Sequence, residues 1–203
     1  MLLMHPKEVK KNRTGTGWIT RMTLKDCEII EGLDFAQNPR LQRLLKDTQY
    51  YPVLLYPGED AWNAQKPGFA EEVNGRTILA IIIDSTWFCS RKMIEHNPEL
   101  LKLPKLSFCG DYRSIFTFKR EPRPEYISTI ETCYYLTKEL SSVGLANPNC
   151  GEMLVLGDAE ILFVDVGGRL VVDFRHHMVA VHLGDDKLAP QGLPSEIQAR
   201  VDV

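Results

Sequence analysis

The stretch Thr77-Ile-Leu-Ala-Ile-Ile-Ile-Asp84-Ser-Thr-Trp87 decides how this chain folds. From Ile78 to Ile83 every residue is apolar, with none of the in-out alternation of a strand that has one wet face. Such a strand is buried on both sides, as in a parallel sheet covered by helices on both faces. The run halts at Asp84-Ser85-Thr86, where Ser85 or Thr86 can cap a helix reaching about His96, which Asn97-Pro98 would end. Strand, polar loop and helix follow in that order.

Working outward, Tyr50-Tyr-Pro-Val-Leu-Leu-Tyr56 reads as a second buried strand that opens at Pro57-Gly58, after a short helix over Leu41 to Lys46. Leu106 to Phe108 and Ser114 to Phe118 read as shorter strands around Cys109-Gly110-Asp111, and Lys119 to Pro124 as a proline-stiffened loop. Ser128-Thr-Ile-Glu131 matches a capping box for a helix to about Ser142, with Gly144 as its stop. After Cys150 short apolar runs are broken by Gly157 and Gly167-Gly168; a helix is expected near Val172 to Leu183 and an irregular tail after Asp185. Alternating strands and helices define an α/β class with a mostly parallel sheet, whose ligands sit at the carboxyl ends of strands. Pro57-Gly58 and Asp84-Ser-Thr-Trp87 both fall at such ends.

The 203 residues fit one domain, residues 1–203, with no repeat, low-complexity tract or linker, and 44% hydrophobic with 25% charged residues is an ordinary globular balance. Cys27, Cys89, Cys109, Cys133 and Cys150 are scattered without a CxxC pair, which fits a reducing compartment and argues against a zinc site or disulfide scaffold. His5, His96, His176, His177 and His182 show no metal-ligand spacing, so no metal is expected, and His176-His177 is placed on the closing helix. No run is long enough for a membrane span, and the start has its basic residues after its apolar ones, the reverse of a signal peptide; a cytoplasmic protein is expected. A formal charge of −3 argues against a nonspecific nucleic-acid coat. Charge is segregated, however, with Lys7, Lys10, Lys11, Arg13, Arg21 and Lys25 gathered at the start.

Each motif has two readings. Asp84, at the mouth of a pocket, can act as a base or merely cap a helix. Trp87 can stack on a base or pack into the core. The Ser128 helix start, with Lys119, Arg120 and Arg123 nearby, suits an anion, although a plain capping box explains its four residues. Thr14-Gly15-Thr16-Gly17 can form a glycine-rich phosphate loop, but it matches neither of the standard nucleotide-binding fingerprints.

Taken in order, Met4-His5-Pro6-Lys7-Glu8 with Thr14-Gly15-Thr16-Gly17, then Tyr56-Pro57-Gly58, Ile83-Asp84-Ser85-Thr86-Trp87 with Arg91-Lys92-Met93 and Leu103-Pro104, and finally Glu121-Pro122-Arg123 with Ile127 to Glu131, resemble the DTW-domain family across about residues 4 to 140. The resemblance implies a SPOUT-like fold with a C-terminal knot, S-adenosylmethionine as cofactor, and transfer of its aminocarboxypropyl group to N3 of a tRNA uridine. It further implies Asp84 as base or orienting acceptor. Tyr56, Pro57, Ser85, Thr86, Trp87, Leu106, Lys119, Arg120, Ser128 and Thr129 would lie around the cofactor, and His5, Lys7, Arg13, Thr16 and Arg91 would face tRNA. Three departures stand out. Many relatives carry a cysteine-rich segment before the His-Pro motif and this chain starts at that motif; Ser85 stands where glycine is common; and Lys119 replaces an expected arginine, losing the bidentate fork for a carboxylate. A methyltransferase of the same fold and a non-catalytic RNA-binding module are the competing functions. The oligomeric state is open, with a monomer favoured.

Overall fold

A computed structural model describes residues 1–11, 16–24, 26–114, 126–146, 150–156, 161–166, 169–174 and 177–182. Strand β1 (Leu2–Met4) is followed by helices α1 (Pro6–Lys11) and α2 (Thr16–Thr23), β2 (Ile29–Glu31), α3 (Pro39–Lys46), β3 (Tyr50–Leu55), α4 (Phe69–Val73) and β4 (Thr77–Asp84). Next come α5 (Trp87–His96), a 3-10 turn (Pro98–Lys102), β5 (Lys105–Leu106) and α6 (Thr129–Ser142). The first five strands form one sheet in the order β2-β1-β4-β3-β5, and every pairing in it is parallel. The α/β class, the two strong strands and the helices over 41–46, 86–96 and 128–142 are as the sequence indicates.

The all-apolar β4 sorts its side chains by strand parity. Ile82 joins Leu2, Tyr51 and Val53 in one core cluster, roofed by Phe69 and Val73 of α4 and by Cys133, Leu136 and Leu140 of α6. Ile81 joins Leu3 and Leu54 in a second, with Leu41 of α3, Met93 of α5 and Leu100. Neighbours in a strand point to opposite faces, so the two clusters lie on opposite faces of the sheet and helices cover both. Each fully buried side chain of this size contributes about 1.5–3 kcal/mol, which is why a three-residue strand such as β1 can hold a central place.

The last third departs from expectation. In place of a helix over Val172–Leu183 there is a four-stranded antiparallel sheet, β6 (Cys150–Leu156), β7 (Ile161–Val166), β8 (Arg169–Phe174) and β9 (His177–His182), in the order β6-β7-β8-β9. Its runs are six or seven residues long and rich in valine, which loses side-chain freedom in a helix and packs well on a pleated surface. Only the two residues Gly167-Gly168 separate β7 from β8 in sequence, a hairpin composition. His177 therefore belongs to a strand rather than a closing helix; His176, Leu183 and the tail after Asp185 lie outside the described residues. Of the expected short strands, β5 ends at Leu106 rather than Phe108, and the part of the second beyond Ser114 lies outside the described residues.

Candidate functional site at the carboxyl edge

Because the sheet is all parallel, the carboxyl ends of β1, β4, β3 and β5 share one edge. Met4 pairs with Asp84, and Tyr56 donates its N–H to the Leu106 carbonyl at 3.0 Å. Neighbouring strands β1 and β4 send the chain to opposite faces. After β1 the chain passes through α1 to α2, which packs against α6, whereas after β4 it enters α5, which buries Met93 on the other face. That divergence is a topological switch point, where open α/β sheets open a crevice for a ligand. Asp84 stands at that switch point.

Parity also aims Asp84. Even-numbered residues of β4 face α2 and α6, and the Asp84 carboxylate is gripped between the first turns of those two helices. Thr129 Oγ1 donates to Oδ1 at 2.7 Å. On the other side sits Gly17 of α2: a Cβ there would lie 1.9 Å from Oδ2 and 2.8 Å from Met4 Cε, so any side chain would push the carboxylate out of its place. Helix N-termini carry partial positive charge, which suits an ionised carboxylate. The pair Thr16-Gly17, expected in a phosphate loop, is instead the opening of α2, and its glycine serves close packing against Asp84. Thr14 and Gly15 lie outside the described residues.

Around this carboxylate the other sequence-selected residues fall into three groups. Ser128, Ser85 and Thr86 are local to it. Ser128 is buried and its Oγ accepts from Glu131 N at 3.4 Å while Glu131 Oε2 accepts from Ser128 N at 2.7 Å, a complete capping box. Ser85 Oγ and Ser90 Oγ share a hydrogen bond at 2.9 Å, exposed Thr86 is the N-cap of α5, and Trp87 opens that helix. Half-buried Tyr56, exposed Pro57 and fully buried Leu106 lie at the same edge, at the ends of β3 and β5. His5, Lys7, Thr16 and Arg91 lie on α1, α2 and α5 or beside them; Lys7 and Arg91 are exposed, Thr16 is half-buried and His5 is buried. Arg13, Lys119 and Arg120 lie outside the described residues.

His5 has a structural duty that its sequence position did not reveal. Its Nδ1 accepts the Lys7 backbone N–H at 3.0 Å at the start of α1, which leaves the proton of the neutral ring on Nε2. Burial, then the charges of Lys7 and Lys92, hold its pKa below the usual value despite an opposing pull from Glu8. Three of the cysteines are poor nucleophiles: burial pushes Cys133 up to about 12 and also raises Cys27 and Cys109.

Two further anchors were missed. Glu139, on the buried face of α6, accepts from Cys109 N, Gly110 N and Tyr112 Oη at 2.9 to 3.0 Å and so fastens the loop after β5; the Tyr112 ring stacks on Tyr135 at 4.0 Å. Burial and that carboxylate raise the Tyr112 pKa, keeping it a donor. Fully buried Asn97 accepts from Phe35 N at 2.6 Å and donates to the carbonyls of Leu33 and Met93, both at 2.7 Å, binding the end of α5 to the loop after β2. The usable signal for Glu139 was a charged residue at the apolar spacing of Cys133, Leu136 and Leu140. From the sequence, Asn97 reads only as a helix end.

Among the described residues no group of three or more His, Cys, Asp or Glu is arranged to hold a metal ion, and no helix is long and apolar enough to cross a membrane. The class is thus an α/β protein with a carboxylate, Asp84, at the switch point of a parallel sheet. A model of the DTW domain family matches residues 1–155. The chain belongs to that family, and the match takes in the whole parallel sheet, α6 and most of β6. No curated protein and no solved structure matches the chain.

Proposed function

We propose that this chain is a cytoplasmic tRNA-uridine aminocarboxypropyltransferase, a single-domain enzyme with a SPOUT-like fold and C-terminal knot. Its substrates would be S-adenosylmethionine and tRNA. Family membership supports RNA modification as the setting. The observation that carries the reading is the Asp84 carboxylate gripped by Thr129 and the Gly17 turn at the switch point.

The residues at the edge suit such a donor by type: hydroxyls of Ser85, Thr86 and Thr129, a backbone turn at Tyr56-Pro57, and the adjoining aromatic Trp87. They would surround S-adenosylmethionine, with Leu106 closing the apolar floor, Ser128 holding the α6 turn and Lys119 or Arg120 meeting its carboxylate. The sulfonium supplies an activated carbon, and which carbon faces the acceptor sets the product. The uridine N3–H bond must break as the N3–C bond forms and the C–S bond breaks, releasing methylthioadenosine. Asp84 receives that proton or orients the imide, and Thr129 fixes one of its oxygens so that the charge does not wander. Lys7, Arg13 and Arg91, with His5 and Thr16 positioning the first helices, would meet tRNA phosphates.

The test is incubation of unmodified tRNA with S-adenosylmethionine labelled separately in the methyl and carboxyl positions. Carboxyl label retained in RNA, lost in Asp84→Asn, is the expected result. Methyl label alone would make the protein a methyltransferase, and neither label with tRNA still bound would make it a binding module.

A further inference from the structure

Beside Asp84 the first turn of α5 carries a feature the proposed chemistry does not use. Phe88 is 66% exposed, far more than any other large apolar side chain among the described residues, and it directly follows Asp84-Ser-Thr-Trp87. Helix α5 points Cys89 and Met93 into the protein. An aromatic one position out of that register gains nothing from burial; a single exposed apolar side chain is ordinary by itself, and what sets this one apart is the chemistry beside it.

Its neighbours indicate which partner. Lys92, one turn on, holds its Nζ 4.7 Å from the Phe88 ring centroid. Arg91 and Lys92 are both exposed, and exposed Lys7 follows His5 at the start of α1. The charges of Lys7 on α1 and Lys92 on α5 both reach the His5 ring, so the two helices bring cations near one another. Half-buried Glu8 also acts there, exposed Glu95 lies one turn beyond Arg91, and Asp84 stands nearby with one carboxylate oxygen held by Thr129, so three cations are matched by three carboxylates of which one is turned inward. An apolar protein surface would not call for cations there. An exposed flat ring with a lysine on it and an arginine and a lysine nearby matches an unpaired nucleobase and its flanking phosphates, since stacking accepts any base face and lysine neutralises the backbone.

We propose that Phe88 is a stacking platform for an unpaired nucleobase of the RNA substrate, with Lys92, Arg91 and Lys7 receiving the flanking phosphates. This deepens the reading of the site as one that modifies RNA. Stacking on Phe88 would hold an RNA strand open beside Asp84, where an unpaired base can present its Watson–Crick edge.

The experiment measures binding of an unmodified tRNA transcript and of a short oligouridylate to the wild type, Phe88→Ala, Phe88→Tyr and Lys92→Gln over a salt series, with transfer kinetics alongside. Phe88→Ala is expected to raise Kd and the KM for RNA about tenfold, or ~1.4 kcal/mol, with kcat at saturating RNA kept and the melting temperature unchanged. Phe88→Tyr should restore affinity to within about twofold. Lys92→Gln should lower the salt slope by about one unit. Phe88→Ala binding both RNAs within about twofold of the wild type overturns the proposal and leaves the ring to a protein partner. Phe88-dependent RNA binding in a protein that transfers neither label would sustain it while sinking the proposed reaction. Transfer with a KM indifferent to Phe88 would do the reverse, and no RNA binding by any form would overturn both.

Discussion

Helices α5 and α6 both begin at the carboxyl edge of the parallel sheet, but their first turns are built differently. The start of α6 is closed on itself: Ser128 and Glu131 satisfy one another's backbone groups, and Thr129 reaches across to Asp84. At the start of α5 the N-cap Thr86 makes no side-chain capping bond and Phe88 stands in solvent. One turn is closed by its own side chains. The other is held at its far end, where Asn97 ties α5 down, and its first turn stands open at Thr86 and Phe88. A closed and an open helix start thus flank one carboxylate.

The sharpest way to break this comparison is at the carboxylate itself. Asp84→Asn keeps the shape and the Thr129 contact but removes the charge, and the transfer rate should fall about a hundredfold or more with little change in melting temperature. Full activity in that variant would reduce Asp84 to a strut between α2 and α6. Gly17→Ala should be as damaging and should also lower stability, because its methyl group would lie within bonding distance of Oδ2.

Next in size is the tether of α5. Asn97→Ala strands the Phe35 N–H and the Leu33 and Met93 carbonyls, at a cost of about 3 kcal/mol in urea unfolding. A loss under about 1 kcal/mol would mean that α5 is held by Met93 and its apolar neighbours alone.

The comparison is tested most directly by a matched pair. Ser128→Ala is expected to cost about 1 kcal/mol of stability and Thr86→Ala about 0.3 kcal/mol or less, with the second instead weakening S-adenosylmethionine binding in calorimetry. Equal costs would show that both starts are scaffold.

The smallest expected effect is a pH slope. His5 has a folded pKa below its unfolded value of about 6.5, so between those two values the unfolded chain binds more protons. Stability therefore rises with pH across that window and is lost as the pH falls through it. His5→Asn can still accept the Lys7 N–H, and its unfolding free energy should fall less than the wild type's from pH 7 to pH 5. Parallel curves would remove His5 from the account.

Much of this was legible in the chain. Six apolar residues ending at Asp84 predict a doubly covered parallel strand, Ser128 to Glu131 a capping box, and Asn97-Pro98 a helix end, because each depends on neighbours a few residues apart. The antiparallel sheet from Cys150 onward was misjudged because short apolar runs suit a buried helix as well as a strand; valine content and the two-glycine spacer were the better guides. Strand β1 left no periodic signal at all, being three residues long.

The sequence alone determined the class of fold, the strand that organises it and the motif at its end, since burial pattern and capping chemistry are local. Only the tertiary structure decided that Gly17, Thr129 and Asp84 meet, that Glu139 and Asn97 are anchors, and that Phe88 is left outside. Those facts depend, for the first three, on contacts between residues 45 and 67 positions apart, and on which face of each helix the sheet happens to cover, and no local pattern encodes either.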